Sequence, residues 1–203
     1  MVSAVPLRIV NRMVDERILP ESLISRKKGR RISADACVYI SFFEGTAAHL
    51  TRESRKRTIS KAAQATSPWH ITADTKVPAE GWIVWEDGVG VDFSNFAKPA
   101  IERLRLLDAA RQAIVSDPEI LGGEPVVKGT RVPVYYVAGA IAAGAPLEEI
   151  LEDYPSIDAR AVQLAIAFVE ANPRQGRPKS IAERFPDLVS IEHHVYPRPD
   201  RSR

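Results

Sequence analysis

Asp117-Pro-Glu-Ile-Leu-Gly-Gly-Glu-Pro-Val-Val-Lys-Gly-Thr-Arg-Val-Pro-Val134 packs three glycines, three prolines and one Gly-Thr-Arg into eighteen residues. Apolar residues come in short bursts between them. Gly supplies backbone angles closed to other residues, and Pro presets φ, so the stretch predicts a tightly turned backbone rather than a long regular element. It contains no nucleophile beside a base. Lys128-Gly-Thr is not a phosphate loop, because the glycines before it stand at the wrong spacing and no Ser or Thr follows a Gly-Lys pair.

Downstream, Val134–Ala143 is nearly all apolar and reads as a buried helix closed by Gly144. Pro146 opens a second helix, with Leu147, Ile150, Leu151 and Tyr154 at i, i+3, i+4 and i+7. Asp158 is placed to cap a third, with Val162, Ala165, Ile166 and Val169 along one face. Three short helices with tight connections predict a trihelical, helix-turn-helix-like domain over 99–171. From 172 to 203 the chain reads as a basic, flexible tail.

Upstream, Pro99 is expected to open a helix carrying Ile101, Leu104, Leu107 and Arg111. Trp82 to Phe93 reads as a β-hairpin around Asp87-Gly88, a favoured two-residue turn. Residues 64–98 thus form a linker and hairpin. In the head, 1–63, Pro6 is placed to start a helix whose apolar residues run from Leu7 to Ile18, ended by Pro20. A basic hairpin turning at Gly29 follows, then a helix over about 34–43 capped by Ser33, then one from Thr51 to about 63 with Arg and Lys on its exposed side. The expected fold class is mainly α with small β-hairpins: a winged-helix-like N-terminal part and a C-terminal trihelical domain.

The net charge of +2 conceals an asymmetry. Residues 1–61 carry 13 Lys/Arg against 6 Asp/Glu, residues 62–171 carry 8 against 16, and residues 172–203 carry 7 against 4. A basic head on an acidic body points to a polyanionic partner for the head; a solvated basic surface is the alternative. Arg8, Asn11 and Arg12 on the first helix suit base edges in a major groove, and Arg26, Lys27, Lys28, Arg30 and Arg31 on the hairpin suit phosphates.

This helix–hairpin–helix order resembles excisionase and MerR-type DNA-binding domains. Such domains begin with a further small helix. Met1–Val5 are too few to form it, so the head reads as one without its first helix.

Residues about 114–171 are similar to a bacterial domain family related to VapB-type antitoxins. The matching positions are Asp117-Pro118, Gly122-Gly123, Pro125, Gly129-Thr130-Arg131, Pro133-Val134, Gly144 and Tyr154-Pro155. The resemblance implies an antitoxin of a type II toxin–antitoxin system. Such a protein neutralises a PIN-like ribonuclease toxin and binds operator DNA, as a homodimer, to repress its own operon. In that setting Arg174, Arg177, Arg198 and Arg201 of the tail are candidates for the toxin contact. An arginine pairs with the carboxylates by which such nucleases hold Mg²⁺. Gly122, Gly123, Pro125, Gly129, Thr130, Arg131 and Pro133 are expected to shape the backbone. A stand-alone DNA-binding regulator, or a protein-interaction module without DNA binding, remains the alternative.

Other chemistry finds little support. Cys37 is the only cysteine, which excludes an intrachain disulfide and a cysteine-rich zinc site. His193 and His194 are adjacent, and His49 and His70 have no companion at a catalytic spacing, so neither an enzyme nor a metal or other cofactor is expected. No apolar run approaches the roughly 18–20 residues of a membrane span, and the N-terminus lacks an uninterrupted apolar core, so a cytoplasmic location and no membrane partner are expected.

Overall fold

A computed structural model describes residues 2–26, 29–64, 71–77 and 81–174. It is mainly helical, with small antiparallel two-stranded hairpins. The chain divides into two units, 1–172 and 173–203.

Helix α1 spans Leu7–Asp15, with Pro6 as its N-cap: the Pro6 carbonyl accepts from the amides of Ile9 and Val10. The apolar series beyond it, ending in Ile18, is not helical. Arg17 adopts φ +53° and the Ile18 amide returns to the Met13 carbonyl, so the chain turns sharply and still buries Ile18 and Leu19. Strands β1 (Ile24–Ser25) and β2 (Arg31–Ile32) pair Ile24 with Ile32 and Ser25 with Arg31. Helix α2 (Ala34–Gly45) is capped by Ser33, whose Oγ accepts from the Ala36 amide at 3.3 Å. Thr51 caps α3 (Arg52–Gln64) through the Ser54 amide.

The second hairpin joins β3 (Ile83–Glu86) to β4 (Val89–Asp92). Asp87 and Gly88 have φ +50° and +80°. Positive φ at both central residues is the turn whose twist matches paired strands, and an Asp-Gly pair tolerates it.

Helix α4 runs from Ser94 to Ala113. The expected start at Pro99 is therefore wrong: Pro99 lies inside the helix, one turn in. A hydrogen-bonded corner starts the helix earlier. Asp92 Oδ1 accepts from the amides of Trp82 and Ser94, and Ser94 Oγ accepts from Trp82 as well. Strands β5 (Ile114–Val115) and β6 (Val126–Val127) follow and pair antiparallel, then come α5 (Val134–Ala142), α6 (Leu147–Asp153) and α7 (Ala159–Ala171). Asp158 caps α7 by accepting from the Ala161 amide at 2.7 Å.

Two apolar cores result. The first gathers α1, α2, α3, the β3–β4 hairpin and the start of α4 around Phe42, Phe93, Met13 and Ile40. An aromatic cluster forms its centre. Phe93 sits 4.8 Å from Phe42 and 5.1 Å from Trp82, and Tyr39 meets Phe93 edge-on at 5.6 Å. The second core joins the end of α4 to α5, α6 and α7 through Val134, Val137, Ile150 and Ala165. Helix α4 serves both: Ala97, Ala100 and Ile101 enter the first, Ala110 the second.

Helix α5 departs from its expected full burial. Val134, Val137 and Ala138 are buried, but Tyr136, Gly139 and Ala142 face solvent. Its neighbours α6 and α7 cover one side only, and an apolar sequence cannot by itself report how many sides are covered.

Candidate nucleic-acid interface

The basic head is organised by the periodicity of α1. Val10, Met13 and Val14 point into the first core, which leaves Arg8, Asn11, Arg12 and Asp15 on the opposite, exposed face at i, i+3, i+4 and i+7. The three DNA-contact candidates of this helix thus lie on one solvent stripe. Arg26, Arg30 and Arg31 of the hairpin are exposed too. Arg30 reaches back to Asp15 at 2.7 Å, which ties the hairpin to the candidate reading helix, while Arg26 pairs with Glu21 and Arg52 with Glu16. Exposed pairs of this kind contribute about 0–1 kcal/mol, so a phosphate can displace the carboxylate at small cost. Lys27 and Lys28 lie outside the described residues.

Not every cation near the head is available. Arg55 is buried. Its Nη1 donates to the Phe43 carbonyl, its Nε donates to that of Thr51 at 3.4 Å, and its guanidinium lies 4.1 Å above the Phe43 ring. Arg57 pairs with Glu86 at 2.9 Å and with Asp87, and Lys61 donates to the Trp85 carbonyl at 2.6 Å. The Glu86 hydrogen bond, then that of Asp87, holds the Arg57 guanidinium above its usual range. The cationic face of α3 thus clamps the β3–β4 hairpin.

The Gly/Pro-rich motif closes on itself. Glu119 donates its amide to Asp117 Oδ1, and Ile120 and Gly123 continue a tight turn in which Leu121, Gly122 and Gly123 all have positive φ. Further on, Gly129 at φ +79° allows the chain to reverse between Val127 and Val132. Thr130 Oγ1 donates to the Val127 carbonyl at 2.8 Å and accepts from the Val132 amide at 3.1 Å, locking the reversal. Pro125 accepts from the Val134 amide, and Pro133 is the N-cap of α5. Arg131 is exposed and makes no hydrogen bond or ion pair among the described residues.

Of the tail arginines, Arg174 is exposed, whereas Arg177, Arg198 and Arg201 lie outside the described residues. The acids Glu148, Glu149, Glu152 and Asp153 of α6 form a solvated face. Cys37 is buried, which pushes its thiol up to about 11. No group of three or more His, Cys, Asp or Glu among the described residues is placed to hold a metal. No helix among them is long and apolar enough to cross a membrane.

Periodicity did not point to three other surface features. Trp85 is 63% exposed on the β3–β4 hairpin, with its ring stacked over Gly90. Tyr136 is 56% exposed and meets Tyr154 edge-on at 5.9 Å. The third is a groove between α4 and α7 lined by three arginines. The last two depend on residues distant in sequence, and the first on pairing across the hairpin, which helical or strand periodicity does not signal.

A family model described as a protein of unknown function, DUF433, matches residues 114–169. The uncharacterized protein y4eO of Sinorhizobium fredii (strain NBRC 101917 / NGR234) is 45% identical over 182 residues, covering 87% of this chain and 80% of the relative. No solved structure matches significantly.

Proposed function

The chain belongs to the family of the rhizobial protein y4eO, and we propose that it is the antitoxin of a type II toxin–antitoxin pair. Its head binds operator DNA and its C-terminal part neutralises a PIN-like ribonuclease. The observation that carries the DNA half is the single exposed stripe of Arg8, Asn11 and Arg12, flanked by the arginine-bearing hairpin. Arg pairs bidentately with guanine and Asn with adenine, and the hairpin arginines meet the phosphates beside the groove. A homodimer presents two such heads to half-sites one helical turn, roughly 34 Å, apart.

The toxin half rests on the resemblance of residues 114–171 to VapB-type antitoxins, whose partners hold Mg²⁺ with clustered carboxylates. Arg174 and the arginines beyond it suit that target as planar, always-charged forks. The protein works without a cofactor, by binding and not by catalysis.

Two measurements test the reading. Co-expression with the neighbouring gene product yields a complex whose ribonuclease activity is suppressed, and truncation after residue 172 releases that activity. Free activity in the complex, or full suppression by the truncated chain, overturns the toxin contact. Binding to the upstream DNA falls steeply with salt, with a log–log slope of about −0.9 for each phosphate contact. Arg12→Ala weakens the operator more than unrelated DNA. If the DNA is not bound at all while the toxin complex forms, the chain is a protein-interaction module without DNA binding.

A further inference from the structure

We infer that the groove between α4 and α7 binds a carboxylate-bearing peptide segment. Glu102, Arg103, Arg105 and Leu106 of α4 line it together with Arg160 and Gln163 of α7, and its volume is about 360 Å³. That is the lower end of the range for ligand pockets, room for a few side chains rather than a folded surface.

Charge distinguishes this groove from the rest of the acidic body. Residues 62–171 carry only 8 Lys/Arg against 16 Asp/Glu. Three of those cations line this one groove, opposed by a single acid, Glu102. None of the three pairs with a carboxylate among the described residues; each is held by neutral oxygens instead. Arg103 Nη1 donates to the Val2 carbonyl at 3.3 Å. Arg105 Nε and Nη2 donate to the carbonyls of Ala73 and Thr75 at 2.6 and 3.3 Å, and Arg160 Nη1 donates to Gln163 Oε1 at 2.6 Å. A guanidinium has five N–H donors. Each fork therefore keeps donors for a ligand while its side chain is already ordered, which lowers the entropy cost of binding. Arg160 also stands in the first turn of α7, where the helix dipole adds positive potential.

Carboxylates fit better than phosphates. Two forks, Arg103 and Arg105, rise from one turn of α4 and the third, Arg160, from the first turn of α7, and each matches one carboxylate bidentately. Acid groups spaced along a chain answer to that layout; the clustered oxygens of a phosphate answer to one or two forks only. Leu106 offers an apolar contact to the methylenes of a glutamate. These arginines are not among the residues assigned above to DNA or to the toxin.

The test is calorimetric titration of the full chain with hexaglutamate, hexaglutamine and inorganic pyrophosphate. Hexaglutamate is expected to bind and hexaglutamine not. Arg160→Glu, whose only side-chain partner lost is Gln163, is expected to weaken hexaglutamate about tenfold, and Glu102→Gln to tighten it about threefold. A doubly substituted Arg8→Glu/Arg12→Glu chain binds as the unaltered one does. The inference is overturned by the absence of hexaglutamate binding, by unchanged affinity in Arg160→Glu with its fold intact by circular dichroism, by loss of binding in the head variant, or by pyrophosphate binding more tightly than the peptide.

Discussion

Asp92 illustrates how one side chain settles an element boundary. Its Oδ1 accepts the amides of Trp82 at 3.1 Å and Ser94 at 2.9 Å, fastening the end of β4 to the start of α4. Burial raises its carboxyl, but the Ser94 and Trp82 hydrogen bonds and the charge of Lys98 outweigh that, and the net shift is downward. A depressed folded-state value means the ionised form stabilises the fold fully above the ordinary carboxylate value, near pH 4, and that this stabilisation is lost as pH falls from there through the lower folded-state value. Asp92→Ala is expected to cost about 1–2 kcal/mol at neutral pH, with the deficit shrinking as the medium is acidified. Denaturant midpoints of the two chains across pH 3 to 7 would check this; a deficit that grows in acid contradicts it. Arg55 makes the complementary point. It belongs by sequence to a basic run, yet its guanidinium is spent on the Phe43 carbonyl and ring. Composition counts such a residue as surface charge, and only its neighbours reveal that it holds two helices together.

At the scale of elements, caps were the most legible signals. Ser33, Thr51 and Asp158 each accept the amide expected of an N-cap, because that bond is local and needs no tertiary partner. The Asp87-Gly88 turn was legible for the same reason. Pro99 was misleading: proline favours a helix start, but here the Asp92–Ser94 corner begins the helix earlier and the proline is carried inside it. There it removes the amide that would bond to the Asn95 carbonyl. Pro99→Ala restores that donor and is expected to raise stability by about 1 kcal/mol or more. Thermal unfolding of the variant tests this, and an unchanged or lowered midpoint shows that the proline's restraint of the unfolded chain outweighs the missing bond.

Across the molecule, α4 is the element that makes one unit of residues 1–172. Its first half supplies Ala97, Ala100 and Ile101 to one core and its second half supplies Ala110 to the other. A defect in the second core should therefore be felt in the first. Ile150→Ala, at a fully buried position of α6, removes about 3 kcal/mol by the lost transfer energy and the cavity left behind. Fluorescence of Trp82, in the first core, is expected to report an unfolding midpoint lowered to match that of the whole chain. An unshifted tryptophan transition would show that the two cores unfold separately. The sequence by itself determined the mainly helical class, the caps and hairpin turns, the charge asymmetry and the stripe of Arg8, Asn11 and Arg12. These follow from interactions a few residues apart. Tertiary structure alone decided the shared helix α4, the one-sided burial of α5, the diversion of Arg55, Arg57 and Lys61 into structural contacts, and the meeting of Arg103, Arg105 and Arg160 in one groove. Each joins residues far apart in the chain, and their meeting is set by how helices pack on a common core rather than by any local pattern.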